Sequence, residues 1–247
     1  MSSIFKEYYI KFTALFLSIV TAVAGFISPM IKPFVPALEA DPVAYTGETL
    51  SLTGNSPDKY LIVTAAGCPE TVNTAAKTLQ EYLFKICGQT LEIVKDNAPE
   101  QATEILIGTT NRESSAITVD CSGIQNEGYI IKTYDKKLVI TGLGNRGTIY
   151  GVYGFLEDVL GCRWYTKDLI VTPKRDVVKI PAEMDIKKNP YFELRETDWI
   201  SPHDKIYSLA NNINGDIYRQ FDVAQGGNVK YLSSFAHTLT MQFAAPS

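Results

Sequence analysis

Few stretches of this 247-residue chain place side chains in a pattern that could do chemistry. The first is the turn Gly142-Leu143-Gly144-Asn145-Arg146-Gly147, a G-x-G-x-x-G sequence that follows the apolar run Leu138-Val139-Ile140 and precedes apolar residues at helical spacing. In that setting, backbone amides at a helix N-terminus can hold a pyrophosphate. A dinucleotide unit also needs a second parallel strand, ending in an acid about twenty residues on that grips the ribose. Here Gly161-Cys162-Arg163-Trp164-Tyr165 follows instead. The turn therefore reads as a strand-to-helix joint, and no nucleotide cofactor is expected. The second stretch is Arg195-Glu196-Thr197-Asp198-Trp199. Its guanidinium offers five fixed donors suited to paired hydroxyls or a carboxylate. Its two acids fit a ligand contact, a cap or a salt-bridge partner, and its indole is a surface for stacking or plain core. Four cysteines, Cys68, Cys87, Cys121 and Cys162, are either disulfide partners in one of three pairings or free buried thiols. With His203 and His237 the only histidines, and no zinc-type spacing, no metal site is expected.

The elements that must position these groups follow from periodicity. Tyr60 to Thr64 reads as a strand. Pro69, placed at a helix N1 position, opens a segment in which Val72, Ala75, Ala76, Leu79, Leu83 and Ile86 share a helical face that Gly88 closes. Leu91 to Val94 and Glu104 to Gly108 are short strands either side of Asp96-Asn97-Ala98-Pro99, and Thr109 to Asn126 is a loop. Gly128 to Thr133 and Lys137 to Thr141 form a hairpin around Tyr134-Asp135-Lys136. Ile149, Val152, Tyr153, Leu156, Val159 and Leu160 then mark a second helix. In it Gly151 and Gly154 allow close approach to a sheet or a neighbouring helix, and Gly161 supplies the stop. The order β-α-β-β-β-β-α predicts an α+β (α/β) fold with a mixed β-sheet and both helices packed on one face. Two short strands follow between Leu169 and Ile180, and Asp185 to Pro190 reads as a linker. A new unit begins at Tyr191, in which Ser201-Pro202-His203-Asp204 reads as the cap of a helix carrying Ile206, Leu209, Ala210 and Ile213, with Ser201 at N-cap.

At the N-terminus, Lys6 and Lys11 precede an apolar run from Phe12 to Ile27, and Leu38-Glu39-Ala40 offers a signal-peptidase site. Residues 1–40 are thus expected to be an export signal or, uncleaved, a membrane anchor, and residues 41–59 an extended lead-in. The net charge is -4 and no basic run is interleaved with aromatics, so nucleic acid is not an expected partner.

The segment RGTIYGVYGFLEDVLGCRWYT, Arg146 to Thr166, resembles the RGTLYGVYxFLExxLGxRWxxP signature of a bacterial family of secreted glycoside hydrolases. The N-terminal domain of that family is similar to that of α-glucuronidases and to the second domain of β-hexosaminidases. The resemblance implies that residues 60–184 are such a domain and that residues 190–247 begin a (β/α)8 catalytic barrel. These residues supply only its first units, so that the barrel is truncated here. It further implies a carbohydrate ligand, with Arg195, Trp199 and His237 as substrate-binding positions and a secreted or cell-surface location. Glycoside hydrolysis needs two carboxylates about 5 to 10 Å apart, presented from several strand ends of a barrel of about 250 residues. Residues 190–247 amount to about two of eight units, so no catalytic residue is expected here and the chain as given is expected to be inactive. The alternative is a non-catalytic carbohydrate-binding or cell-surface module.

Overall fold

The computed structural model describes residues 45–54, 59–112 and 117–230. The expected export segment and His237 lie outside them. Among the described residues, no helix is long and apolar enough to cross a membrane.

The framework is a six-stranded mixed sheet. It is built from β2 (Leu61–Thr64), β3 (Ile93–Lys95), β4 (Glu104–Ile107), β5 (Tyr129–Tyr134), β6 (Lys137–Gly142) and β10 (Asp185–Lys188), in the order β10-β5-β6-β4-β2-β3. The four strands β3, β2, β4 and β6 run parallel; β5 is antiparallel to β6, and β10, antiparallel to β5, runs in the direction of the first four. Two helices, α1 (Glu70–Cys87) and α2 (Gly147–Gly154), cover one face. Strand alternation decides which residues they meet: Ile62, Ile105, Ile107, Leu138 and Ile140 point into the helix layer. Val63, Leu106 and Val139 point the other way, where Ile117 from the long loop completes a small apolar cluster. The expected mixed sheet with both helices on one face is the observed fold.

Helix α1 ends where Gly88 takes φ +72, a left-handed cap whose N–H donates to the Phe84 carbonyl at 2.8 Å. Helix α2 is buried along its whole length and widens into a π turn at Phe155–Val159. Its glycines do as their spacing predicts. A Cβ on Gly151 would stand 3.0 Å from Ile140 Cγ2 and 3.2 Å from Tyr129 Cβ, and one on Gly154 would collide with the Tyr129 hydroxyl. Beyond the π turn, Trp164 in β7 (Arg163–Trp164) makes edge contacts with Tyr82 and Tyr153, each at 5.3 Å, and donates from Nε1 to the Tyr82 hydroxyl at 2.9 Å. That cluster fastens α1 to α2. The four cysteines are free thiols. Cys162 is fully buried, and burial pushes its thiol up to about 12.

Several sequence expectations are corrected. Asp185 to Pro190 is not a plain linker, because Asp185–Lys188 is the edge strand β10, with Asp185 paired to Lys132 at 2.5 Å. A charged strand of this kind is suited to a sheet edge, where one side meets water, and its polarity conceals it in a one-dimensional reading. The lead-in contributes β1 (Thr49–Ser51), which pairs with β9 (Lys179–Pro181). Of the two strands expected between Leu169 and Ile180, one is β8 (Ile170–Val171), which pairs with β7, and the other is β9. Residues 190–199 form no strand: the Arg195 backbone donates to Asn214 Oδ1 at 2.8 Å and accepts from the Asn214 and Gly215 N–H groups at 3.0 and 3.3 Å, with no ladder on either side. Ser201–His203 is a separate 3-10 turn, and the cap of α3 (Lys205–Ala210) is Asp204, which accepts the Tyr207 N–H at 2.7 Å. Asp204 wins because its backbone is extended where the two short helices meet. Leu209 and Ala210 of α3, with Phe221, join the main core.

Candidate functional site

The glycine turn is a joint between backbones. A Cβ on Gly142 would collide with the Gly147 backbone, and one on Gly147 would lie 2.6 Å from the Gly128 carbonyl oxygen. Leu143 N–H donates to that carbonyl at 3.0 Å, and Glu127 N–H donates to the Leu143 carbonyl at 3.0 Å. These glycines bring the turn against the start of β5, where the Glu127 and Leu143 amides are satisfied by the chain itself.

Held by that joint is Glu127, a non-glycine residue at φ +66 and almost wholly buried. One carboxylate oxygen pairs with the Arg146 guanidinium. The other pairs with Arg195 and accepts from Asn214 Nδ2 at 2.9 Å. Arg146, from the end of the glycine turn, also donates to the carbonyls of Gly226 (2.9 Å) and Gly227. Arg195 donates to Asn212 O at 2.5 Å and Phe192 O at 2.6 Å. The sheet and the 190–230 segment are therefore fastened by one carboxylate engaged by three donors. Such a group is built to hold.

The other candidate groups do not converge on Arg195. Glu196 is buried in an ion pair with Arg219 at 3.0 Å and accepts from Ile217 N–H at 3.4 Å. Asp198 accepts from the Tyr218 hydroxyl at 2.7 Å, and His203 lies against the Tyr218 ring at 4.9 Å. Trp199 stands on the surface, 56% exposed, and does not line the cleft beside Arg195. Both acids thus take structural partners. Among the described residues, no group of three or more His, Cys, Asp or Glu side chains could hold a metal ion.

Beside Arg195 opens a cleft of about 340 Å³ lined by Glu127, Tyr150, Tyr191, Phe192, Arg195 and Asn212, among others. Tyr150, on α2, is 1% exposed, and its ring centre is 5.6 Å from the Arg195 guanidinium carbon. Its hydroxyl has no hydrogen-bond partner of good geometry. Burial first, and the Glu127 charge second, push this phenol up to about 12 against the opposing pull of Arg146 and Arg195, so it keeps its proton. Tyr191 and Phe192 are 98% and 73% exposed at the rim. Of the residues lining this cleft, the sequence singles out Arg195 but not Glu127, Tyr150 or Tyr191 as candidates. Glu127 sits at the end of a loop without periodicity, and Tyr150 lies in a helical run that reads as core.

Residues 52–155 match the model of the glycosyl hydrolase family 67 N-terminus, so this part of the chain is similar to a glycosidase N-terminal domain. No curated protein matches the chain. Among solved structures, a family GH115 4-O-methyl-α-glucuronidase, BtGH115A, with specificity for decorated arabinogalactans, aligns at 16% identity and TM-score 0.42 over 59% of this chain and 19% of that one. A Streptomyces plicatus β-hexosaminidase aligns at 12% identity and TM-score 0.39 over 62% of this chain and 26% of that one. CpGH84B aligns at 20% identity and TM-score 0.42 over 71% and 28%. The chain spans between about a fifth and just over a quarter of the length of these proteins.

Proposed function

We propose that this domain is the N-terminal accessory domain of an exported glycoside hydrolase acting on a polysaccharide or glycan. Residues from Pro190 onward then open its catalytic barrel. The observation that carries this reading is the match of residues 52–155 to the family 67 N-terminus. The Glu127 clamp supports it, because an accessory domain must hold the opening of the catalytic unit in a fixed orientation, and buried charge pairs specify orientation more sharply than apolar contact. In this reading the export signal at residues 1–40 delivers the chain to the cell surface or beyond. Arg195, Trp199 and His237 face substrate, with Arg195 oriented by Glu127, and the catalytic carboxylates lie outside these 247 residues.

A second reading, a non-catalytic carbohydrate-binding module, draws on the exposure of Tyr191, Phe192 and Trp199, since sugars stack on open aromatic faces. One experiment separates the two. The purified 247-residue chain, and the product of the reading frame continued past Ser247, are incubated with aryl glycosides and glucuronoxylan. The accessory-domain reading expects no sugar release from the first and release from the second. Release by the 247-residue chain, abolished by Arg195→Ala, overturns it, and a reading frame that stops at Ser247 leaves the module reading standing.

A further inference from the structure

The cleft beside Arg195 has features that the clamp does not use. Its volume of about 340 Å³ lies at the small end of the range for small-molecule sites, about 300 to 1,000 Å³. Two aromatic side chains, Tyr191 and Phe192, are held open to solvent at its rim, where burying them in a core would be the favourable outcome. Along its wall lies Tyr150, almost fully buried, with a hydroxyl that lacks an aligned partner. A buried hydroxyl left in that state costs free energy that a ligand oxygen would recover. Its charges are matched: Glu127 faces both Arg146 and Arg195, and Lys188, at the cleft edge, pairs with Asp158 at 2.6 Å and feels Glu157 as well.

An open aromatic face, a polar wall and a small volume are together the recognition chemistry of a pyranose ring, whose axial C–H face stacks on an aromatic while its hydroxyls seek donors and acceptors. We propose that this cleft is a binding subsite for a single pyranose unit of a glycan, placed at the seam between the N-terminal domain and the 190–230 segment. The class of ligand rests on the carbohydrate reading above, whereas the site itself rests on the cleft, Tyr150 and the rim aromatics.

The test is calorimetric titration of the full 247-residue chain with three methyl glycosides: glucoside, N-acetylglucosaminide and glucuronide. At least one is expected to saturate with Kd on the order of 1 mM, the strength a dozen-atom ligand commands. Tyr191→Ala, at a side chain too exposed to affect folding, is expected to weaken that binding by about 10-fold, and Tyr150→Phe, which removes only the hydroxyl, by about 5-fold. The subsite is overturned if none of the three saturates by about 50 mM, far above the expected Kd. It is equally overturned if both variants bind like the parent. Sugar binding here, with no turnover by the longer product, would sink the accessory-domain reading and leave the subsite in place. Turnover without binding to this chain would do the reverse.

Discussion

The sheet region from β2 to β9 and the segment from Pro190 to Lys230 are held by opposite means. In the first, alternating aliphatic strands and two amphipathic or wholly apolar helices bury a continuous core, and beneath the sheet Glu104 is compensated by Arg112 and Lys137. In the second, Leu209, Ala210 and Phe221 reach the core and polar contacts do much of the rest: Glu127 with Arg146 and Arg195, Glu196 with Arg219, and Asn214 with Arg195. Apolar packing is tolerant of orientation, whereas a buried ion pair is either aligned or costly. The sheet region is built for stability and the segment for placement.

The sharpest way to break that contrast is at Glu104. It is fully buried, with Lys137 Nζ at 2.7 Å and Arg112 Nε at 3.3 Å, because the parallel register of β4 and β6 sets Ile105 opposite Leu138 and so brings Glu104 beside Lys137. Glu104→Ala leaves two cations under the sheet and is expected to cost about 3 to 5 kcal/mol, read from the urea midpoint of the whole domain. A loss below about 1 kcal/mol would mean that Glu100 and the Asp96 and Ala98 carbonyls already satisfy those cations.

Glu127→Ala makes the matching cut in the segment. It is expected to cost about 2 to 3 kcal/mol, the value of hydrogen bonds to a charged group, but locally. Proteolysis and amide exchange should accelerate between Pro190 and Lys230 while the sheet region keeps its midpoint. If the sheet melts in step, the two regions are one cooperative unit and the contrast fails.

Legibility divides along the same line. The strands and helices of the sheet region can be read because their burial is periodic: the helical face from Val72 to Ile86 and the run Leu138-Val139-Ile140 each announce their partners. The glycines of α2 can be read for their closeness, though nothing in the sequence says that Tyr129 is what they approach. Strand β10 is hidden because Asp185-Ile186-Lys187-Lys188 has an edge strand's polarity. The site is hidden for another reason. Glu127 meets Arg195 across 68 residues and Asn214 across 87, and no local spacing encodes such pairs. Arg195 could be nominated from a resemblance, but its actual partner could not.

Gly154→Leu sharpens the comparison from the packing side. Leucine favours a helix by about 1 kcal/mol over glycine, yet its side chain must enter space that the Tyr129 ring and hydroxyl occupy. The expected result is a net loss of about 1 to 3 kcal/mol, measured by chemical denaturation. A neutral result would show that Tyr129 swings aside and that the helix–sheet joint is looser than the core around it.

The smallest expected effect is at Asp96, where the sheet region uses a charge for placement as the segment does. Its two carboxylate oxygens accept the Ala66 N–H at 3.0 Å and the Asn111 N–H at 2.9 Å, tying together the loops that follow β2 and β4. The Asn111 amide chiefly, with the Ala66 amide and the Arg112 charge, holds this carboxyl below its usual value against the opposing effect of burial. A carboxylate whose folded value is depressed contributes stability that is fully present above its unfolded value of about 4, and loses it as the pH falls through the lower folded value. Asp96→Asn sets an amide N–H₂ against one of the two backbone donors, at an expected cost of about 1 kcal/mol at neutral pH. The gap between parent and variant should hold from pH 7 to about 5, narrow as the pH falls below about 4, and close under the lower folded value, where protonation leaves the parent carboxyl no better an acceptor than the amide. Denaturation midpoints of both proteins across that range decide the matter. A gap that persists undiminished at pH 3 would mean that the shape of the loop, and not the charge on Asp96, fastens Ala66 to Asn111.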